Sequence, residues 1–222
     1  MNKLSQLRQH FSQTQSHTVH YPYYNMKTDT TTSLRLIEDL NEANPQRIIK
    51  QYFVHEKYED DGSYHSIRCL GDNNEYCPMC EKSQQYYKDT DEVNGKRFYK
   101  RAIWVANCLI IDDALNLFKS QVVSLRLGRQ LYDQIRSGLV EMFEDMDEDS
   151  PMPWDYHGGY NFRIKQSTLS GRNNYNLSSF ARRPSSLTEQ QIDIIESNLI
   201  DLQELIPPLS SLQTMMKVMF HW

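Results

Sequence analysis

The chain has 222 residues, of which 24 are basic, 29 are acidic and 39% are hydrophobic. This composition is typical of a globular protein in water, and no apolar run reaches the roughly 18 residues that a membrane helix needs. The N-terminus "MNKLSQLRQHFSQTQ" lacks the apolar core of a secretory signal, so we expect a cytoplasmic protein with no membrane partner and with reduced thiols.

The first 32 residues are polar and show no hydrophobic period, which predicts a flexible N-terminal arm over residues 1–32. From residue 33 onward, short apolar stretches rich in β-branched and aromatic residues predict strands, because they are bounded by turn residues. In chain order these stretches are "SLRLIEDL", "RIIKQYFVHEKY", "YHSIRC", "FYKRAIWVANCLIID", "LFKSQVVSLRLG" and "GGYNFRIKQST".

Three segments predict helices. The segment "CPMCEKSQQYYKD" opens one at Pro78, and "GRQLYDQIRSGLVEMFEDM" has apolar residues at helical spacing. In "SLTEQQIDIIESNLIDLQELIPP", Ser186 and Glu189 fit a capping box and Pro207 ends the helix. Many short strands with a middle helix and later helices predict a mainly β fold, a small barrel with added helices.

Three of the four cysteines lie within "CLGDNNEYCPMC". Cys77 and Cys80 form a CxxC, which presents two thiolates from one tight turn, and Cys69 supplies a third. Cys108 lies in the apolar strand "ANCLII" and is better interpreted as a core residue. A redox CxxC is the rival interpretation, but it does not need Cys69. We therefore predict one structural zinc ion.

The fourth zinc ligand is His55 or His65. His55 precedes the turn "EDDGS" and Cys69 follows it, so a hairpin would place them side by side. His65 lies four residues before Cys69, and a strand would separate the two by about 13 Å. We favour the ligand set His55, Cys69, Cys77 and Cys80.

The net charge of −5 is unevenly distributed along the chain. Six acidic residues lie within residues 141–149, and without them 23 of the 29 acidic residues remain against 24 basic ones. Basic residues cluster in "KRFYKR" and "ARRP", and the chain has 14 tyrosines, several of them among these bases. Basic grooves with exposed aromatic rings are what single-stranded nucleic acid requires.

The order of these motifs resembles a known family. The ligand set His55, Cys69, Cys77 and Cys80 is similar to the zinc site of the single-stranded-DNA-binding proteins of T-even bacteriophages, the gene 32 type of helix-destabilising protein. Five further segments, spanning roughly residues 30–206, resemble that family in order: "SLRLIEDL", "KRAIWVANCLIIDD", "LRLGRQLYDQI", "PWDYHGGYNFRIK" and "GRNNYNLSSF". One departure is Arg172, which stands where the family has an aromatic residue.

The resemblance implies an OB-fold with an inserted zinc subdomain, the two flanking a DNA cleft. We expect an arm at residues 1–32, an OB-fold core at 33–206 with the zinc subdomain at about 55–100, and a C-terminal helical segment at 207–222. For phosphate contacts we predict Arg35, Lys100, Arg101, Arg129 and Arg172. For base stacking we predict Tyr64, Tyr76, Phe98, Tyr99, Trp104 and Tyr175, although Phe98 and Trp104 also fit a barrel core.

We therefore expect a non-enzymatic protein that binds single-stranded DNA with little sequence preference. It would coat and protect the strand during replication, recombination and repair of a phage, in the host cytoplasm. Neighbouring copies along the DNA and replication or recombination proteins are its further expected partners. A zinc-dependent nucleic-acid enzyme and a zinc-stabilised protein-interaction module are the alternatives, and no catalytic motif supports the enzyme.

Overall fold

The computed structural model describes residues 23–24, 29–58 and 64–220. Within them lie eight strands: β1 (Thr30–Ile37), β2 (Lys50–Tyr58), β3 (Tyr64–Arg68), β4 (Arg101–Asp113), β5 (Val122–Leu127), β6 (Phe162–Leu169), β7 (Arg172–Asn174) and β8 (Ser179–Phe180). The same residues form five α-helices: α1 (Pro78–Lys88), α2 (Glu92–Phe98), α3 (Arg129–Glu144), α4 (Glu189–Glu196) and α5 (Leu212–Phe220). None of the described helices is long and apolar enough to cross a membrane.

The strands form one antiparallel sheet around β4, the longest strand. β5 pairs along one edge of β4, and β1 and then β2 pair along the other edge. β6 pairs with β1, and the strand order is β3-β2-β4-β1-β6-β7 with β8 also on β6. The prediction of a mainly β fold is therefore confirmed. Among the described residues no ladder joins β5 to β7, so closure into an OB-fold barrel stays a prediction.

The main core lies between one face of this sheet and α3. Alternation along β4 directs Trp104, Ala106 and Cys108 into this core, where Leu131 and Ile135 of α3 pack. Cys108 has no exposed surface, as the apolar strand around it predicted. The periodicity of α3 was also a correct signal, because its buried residues lie four apart on one helix face.

The other face of β4 and β2 is covered by the segment that follows α4. Its apolar residues pack on Tyr52, Val54, Ile103 and Val105, and they are Ile200, Leu202, Leu205 and Ile206. This corrects the prediction of one helix from Ser186 to Pro207. The helix begins instead at a capping box of Thr188 and Gln191, and it ends at Glu196.

The early end of α4 has a local cause. The side chains of Ser197 and Asn198 donate hydrogen bonds to the carbonyls of Asp193 and Ile194, at 2.7 Å each. The backbone N–H of Asn198 donates to the carbonyl of Ile195 instead of that of Ile194, and the Asn198 side chain satisfies the Ile194 carbonyl in its place, so the chain can leave the helix at low cost. The released apolar residues then cover the sheet instead of lying on an exposed helix face.

A second region, residues 64–98, carries β3, α1 and α2 and is called the cluster region below. α1 begins at Pro78, as predicted, because proline suits the first helical turn. α2 was not predicted: the sequence indicated a strand from Phe98, yet Asp91 caps a helix that continues to Phe98. α5 packs on this region through Met215, which has no exposed surface.

Candidate metal centre and nucleic-acid interface

Four side chains from three elements converge at one end of the cluster region. β2 supplies His55, and the antiparallel partner strand β3 is followed directly by Cys69. The backbone N–H of Cys69 donates to the carbonyl of Phe53 at 2.9 Å, which extends the hairpin to the ligand. Cys77 precedes the first residue of α1 and Cys80 lies in its first turn, so both thiols point to the same place.

The ligand atoms have the spacing that a tetrahedral ion requires. The Nε2 atom of His55 is 3.3 Å from the Sγ of Cys77 and 3.7 Å from the Sγ of Cys80. The Sγ of Cys69 is 3.7 Å from that of Cys77 and 3.4 Å from that of Cys80. Zinc bonds of about 2.3 Å to sulfur and about 2.0 Å to nitrogen place tetrahedral ligands roughly 3.5–3.8 Å apart, so the cluster fits such an ion.

A second hydrogen bond orients the imidazole of His55. Its Nδ1 lies 2.8 Å from the carbonyl oxygen of Phe98, to which an Nδ1–H donates. That bond leaves Nε2 directed at the three thiols, which is the usual arrangement of a metal-binding histidine, and a bound metal would displace any proton on this atom. His65 is exposed and is not part of the cluster, so the choice of His55 over His65 is supported by the geometry.

Electrostatics in the cluster favour a bound cation. Hydrogen bonds from the thiols of Cys69 and Cys80 hold the pKa of Cys77 far below its ordinary value. Hydrogen bonds with Cys69 and Cys77 hold the pKa of Cys80 far above its ordinary value. Burial opposes protonation of His55, but hydrogen bonds to Cys69 and Cys77 outweigh it and raise its pKa to about 9. The first thiolate thus forms readily and the last does not, unless a cation offsets their repulsion.

Apolar packing closes the cluster on the side of α5. The Sδ atom of Met215 lies 3.6 Å from the Sγ of Cys77, and Ile67, Leu70 and Met79 complete the buried surface. All four cysteines are free of disulfides. These residues can hold a metal ion, and their three sulfurs and one nitrogen are compatible with zinc.

Arg35 is buried, which contradicts its predicted role in phosphate binding. It has no exposed surface, and its guanidinium donates to Asn161 Oδ1 at 3.0 Å and to the carbonyl of Ser185 at 2.8 Å. Burial lowers its pKa to about 10, partly offset by the nearby Asp155 carboxylate. A Cβ at Gly159 would clash with the backbone carbonyl of Asp155 and lie 2.6 Å from the guanidinium of Arg35, so glycine is required there. Arg35 joins β1 to the segments at 155–161 and 185.

Phe98 and Trp104 are also core residues, which corrects their assignment to base stacking. Trp104 is 3% exposed and stacks on Tyr132 with ring centroids 4.1 Å apart. Phe98 is 2% exposed and stacks on Tyr86 at 5.8 Å. Neither ring has the free face that a base needs, because each is already covered by another aromatic ring.

The other predicted contacts lie at separate places on the surface. Tyr76 and Tyr99 are 59% and 56% exposed, so their rings are accessible. Among the predicted cations, Lys100 lies 4.3 Å from the ring centroid of Phe53, Arg129 is paired with Asp133 at 2.9 Å, and Arg172 is exposed in the β6–β7 hairpin. The side chain of Tyr64 lies outside the described part of the chain.

A cleft of about 530 Å³ lies beside β5 and β6 and is called the tyrosine cleft. Its lining residues are Tyr23, Tyr24, Tyr52, Arg126, Gln166, Asn173, Tyr175 and Pro207. Tyr23 is 44% exposed, and its hydroxyl donates to the carbonyl of Leu205 at 3.1 Å, which anchors the ring. Tyr175 is half-buried against the main core, and burial raises the pKa of its hydroxyl. Tyr24 and Tyr52 are buried at the base of the cleft, so the accessible rings are those of Tyr23 and Tyr175. Two such rings beside an arginine suit a ligand with flat rings and negative charge.

Cations border the tyrosine cleft on the side of β4 and β5. Arg126 and Arg101 both contact the carboxylate of Glu56, at 3.0 Å and 3.5 Å. The predicted residue Arg101 is thereby connected to Arg126, which lines the cleft. Arg126 was not among the predicted residues, although alternation in "SLRLG" directs it outward between Leu125 and Leu127. Tyr23 was not among them because that residue lies within the predicted arm.

Comparison with known proteins gives one result. Among curated proteins, none matches the chain. A family model described as gp32 DNA binding protein like matches residues 28–217. This stretch contains all four residues of the metal cluster and the cleft residues from Tyr52 onward, and it covers the segments that carried the resemblance. The chain therefore belongs to the gp32 DNA-binding-protein-like family.

Proposed function

We propose that this protein binds single-stranded DNA with little sequence preference and that the tyrosine cleft is where it binds. The observation that carries the proposal is the combination of the exposed ring of Tyr23 and the half-buried ring of Tyr175 with Arg126, in a chain of a DNA-binding family. Stacking on aromatic rings tolerates every base, and arginines contact the phosphates that all sequences share.

In this proposal the metal is one zinc ion with a structural role. Three thiolates and one imidazole fill the four positions of a tetrahedral site, so no position is left for a catalytic water. His55 lies on β2, which also supplies Tyr52 to the cleft. The ion would therefore hold β2, β3 and α1 together and keep the cleft wall in place.

We further propose a non-enzymatic role in which the protein coats single strands during phage replication, recombination and repair. The support is the family, together with a cleft that offers rings and cations rather than a catalytic constellation. Neighbouring copies along the DNA and replication or recombination proteins would be its further partners.

The test is a tyrosine-fluorescence titration with oligo-dT, a mixed-sequence strand and a duplex over a salt series. We expect similar affinities for the two single strands and weaker binding of the duplex. Equal affinity for duplex would contradict the proposal. No binding to any strand would favour a protein-interaction module, and turnover of the strand with a divalent ion would favour an enzyme.

Two substitutions separate the proposed stacking and phosphate contacts. Tyr175→Ala should weaken binding by about 1–3 kcal/mol with an unchanged salt slope. Arg126→Ala should lower the log–log salt slope by about 0.7 and weaken all sequences alike. Arg136→Ala, in a different groove beside Ile48 and Trp154, is the matched control and should leave both quantities unchanged.

A further inference from the structure

The carboxylate of Glu56 bridges two arginines on different strands. Its Oε1 lies 3.0 Å from an Nη2 of Arg126 on β5, and its Oε2 lies 3.5 Å from an Nη1 of Arg101 on β4. Glu56 itself is on β2, so one acidic side chain connects three neighbouring strands at the border of the tyrosine cleft.

Burial shows the direction in which the three side chains point. The side chain of Glu56 is 8% exposed, whereas those of Arg101 and Arg126 are 60% and 39% exposed. The carboxylate therefore lies beneath the two guanidinium groups, and the guanidinium groups face the solvent. A guanidinium has five N–H donors in a planar fork, so an arginine that contacts a carboxylate and still has an exposed side chain can also bind an anion.

Two arginines this close would repel each other and sample many rotamers without a shared anion. A carboxylate that accepts from both offsets the repulsion and limits their rotamers before any ligand arrives. Binding sites gain affinity from such preorganisation, because less freedom is lost when the ligand is bound. The solvent-exposed sides of the two guanidinium groups can then contact phosphates of one strand.

The strand that carries Glu56, β2, has packed or ligand residues on both of its faces. Alternation places Tyr52 and Glu56 on the cleft side of the strand and His55 on the opposite side, at the metal cluster. Glu56 thus follows a metal ligand directly in the chain. Because the metal cluster fixes β2 at His55, the backbone of Glu56 is also fixed, which limits the positions of its carboxylate relative to Arg101 and Arg126.

We propose that Glu56 is a positioning residue that holds Arg101 and Arg126 as a paired phosphate-binding site. This inference rests on the proposed binding of single-stranded DNA. The opposite role for the same residue is that of a competitor, in which the carboxylate occupies a phosphate position and its removal tightens binding. The burial of Glu56 beneath the arginines favours positioning, and the two roles predict effects of opposite sign.

The experiment compares wild type, Glu56→Ala, Glu56→Gln and a control, Glu141→Ala, in the oligo-dT titration over a salt series. Glu141 is an exposed acidic residue on α3, so its removal changes the net charge equally. We expect Glu56→Ala to weaken binding about tenfold and to lower the salt slope by up to about 1.4, the share of two phosphate contacts. Glu56→Gln keeps an accepting oxygen and should lose less, and Glu141→Ala should not weaken binding.

A double-mutant comparison distinguishes positioning from general damage. In an Arg101→Ala, Arg126→Ala background, Glu56→Ala should cause no further loss, because there is nothing left to position. An additional loss in that background, or a fall in metal content and urea midpoint in Glu56→Gln, would overturn the inference. Equal or tighter binding by Glu56→Ala would overturn it as well. Failure of the wild-type chain to bind oligo-dT would instead refute the proposed function, and this inference with it.

Discussion

The sheet body and the cluster region are held together by different means. The main core of the sheet contains 16 buried residues from four strands, α3 and the neighbouring segments, nearly all of them apolar. The buried cluster around the metal site contains six residues, and two of these are the ligands Cys69 and Cys77. We therefore expect the sheet body to fold on apolar burial alone and the cluster region to depend on the proposed ion.

The comparison also shows how each region uses a charged group. In the sheet body, Arg35 is buried and donates hydrogen bonds to uncharged carbonyl and amide oxygens, so its guanidinium has a structural role. In the cluster region, the three thiols could all ionise only if the proposed ion offset the repulsion between the thiolates. The protein itself supplies the hydrogen-bond partners of Arg35, so the sheet body needs no ligand to bury this charge. The thiolates of the cluster region would instead depend on the bound ion, so we expect folding of that region to depend on it as well.

Removal of the metal should have the largest effect, because it should unfold the cluster region while the sheet body stays folded. Cys77→Ser should lose the bound zinc and the order of residues 64–98, because the free energy of zinc binding, about 10–16 kcal/mol in small zinc domains, is also folding free energy there. The sheet body should stay folded. Elemental analysis and amide hydrogen exchange of the two regions provide the measurement.

A histidine pair sharpens the same prediction. His55→Ala should lower zinc occupancy, while His65→Ala should retain it, because His65 is exposed outside the cluster. The reverse result would show that the ligand set is wrong, and full zinc content in Cys77→Ser would refute the site altogether.

Replacement of Arg35 should destabilise the sheet body alone. Arg35→Ala leaves the buried oxygens of Asn161 and Ser185 without a donor, which we expect to cost at least about 3 kcal/mol of unfolding free energy. Urea denaturation measures this, and zinc content should not change. Arg129→Ala breaks only an exposed ion pair with Asp133 and should cost under about 1 kcal/mol. Equal effects of the two variants would contradict the buried role of Arg35.

Truncation of Met215 tests the boundary between α5 and the cluster. Met215→Ala removes a fully buried side chain, and such changes cost about 2–5 kcal/mol in well-packed cores. Because its sulfur lies 3.6 Å from that of Cys77, we also expect faster release of zinc to a chelator. The release rate with a colorimetric chelator is the measurement. Thr214→Ala, at a neighbouring exposed position, should release zinc at the wild-type rate.

The smallest effect is expected at the start of α4. Thr188→Ala removes the side-chain oxygen that accepts from the N–H of Gln191 at 3.3 Å, a change worth about 1 kcal/mol. The thermal midpoint of the sheet body should fall slightly and zinc release should not change. A midpoint identical to wild type would show that the capping box contributes nothing.

The metal cluster was predictable because its signals are local. Cys77 and Cys80 are fixed by one turn, and a single hairpin brings His55 to Cys69, so spacing along the chain nearly determines the geometry. The strands and α3 were predictable for a similar reason: side-chain period reports directly on which face is buried.

The candidate DNA contacts were harder, because burial cannot be inferred from residue type alone. Arg35 and Trp104 have the chemistry of a nucleic-acid interface, yet the segments that bury them come from distant parts of the chain. Tyr23 and Arg126 meet at the cleft across more than 100 residues of sequence, a distance at which no local pattern gives a signal.

The sequence by itself determined the ligand types of the cluster, the mainly β class and the amphipathic face of α3, since each depends on residues a few positions apart. Only the tertiary structure decided that Arg35 is buried and that the apolar residues after α4 cover the sheet. It alone also placed Glu56 beneath Arg101 and Arg126. Those outcomes depend on which distant surfaces pack together, because a residue gains free energy of burial only when a second surface covers it.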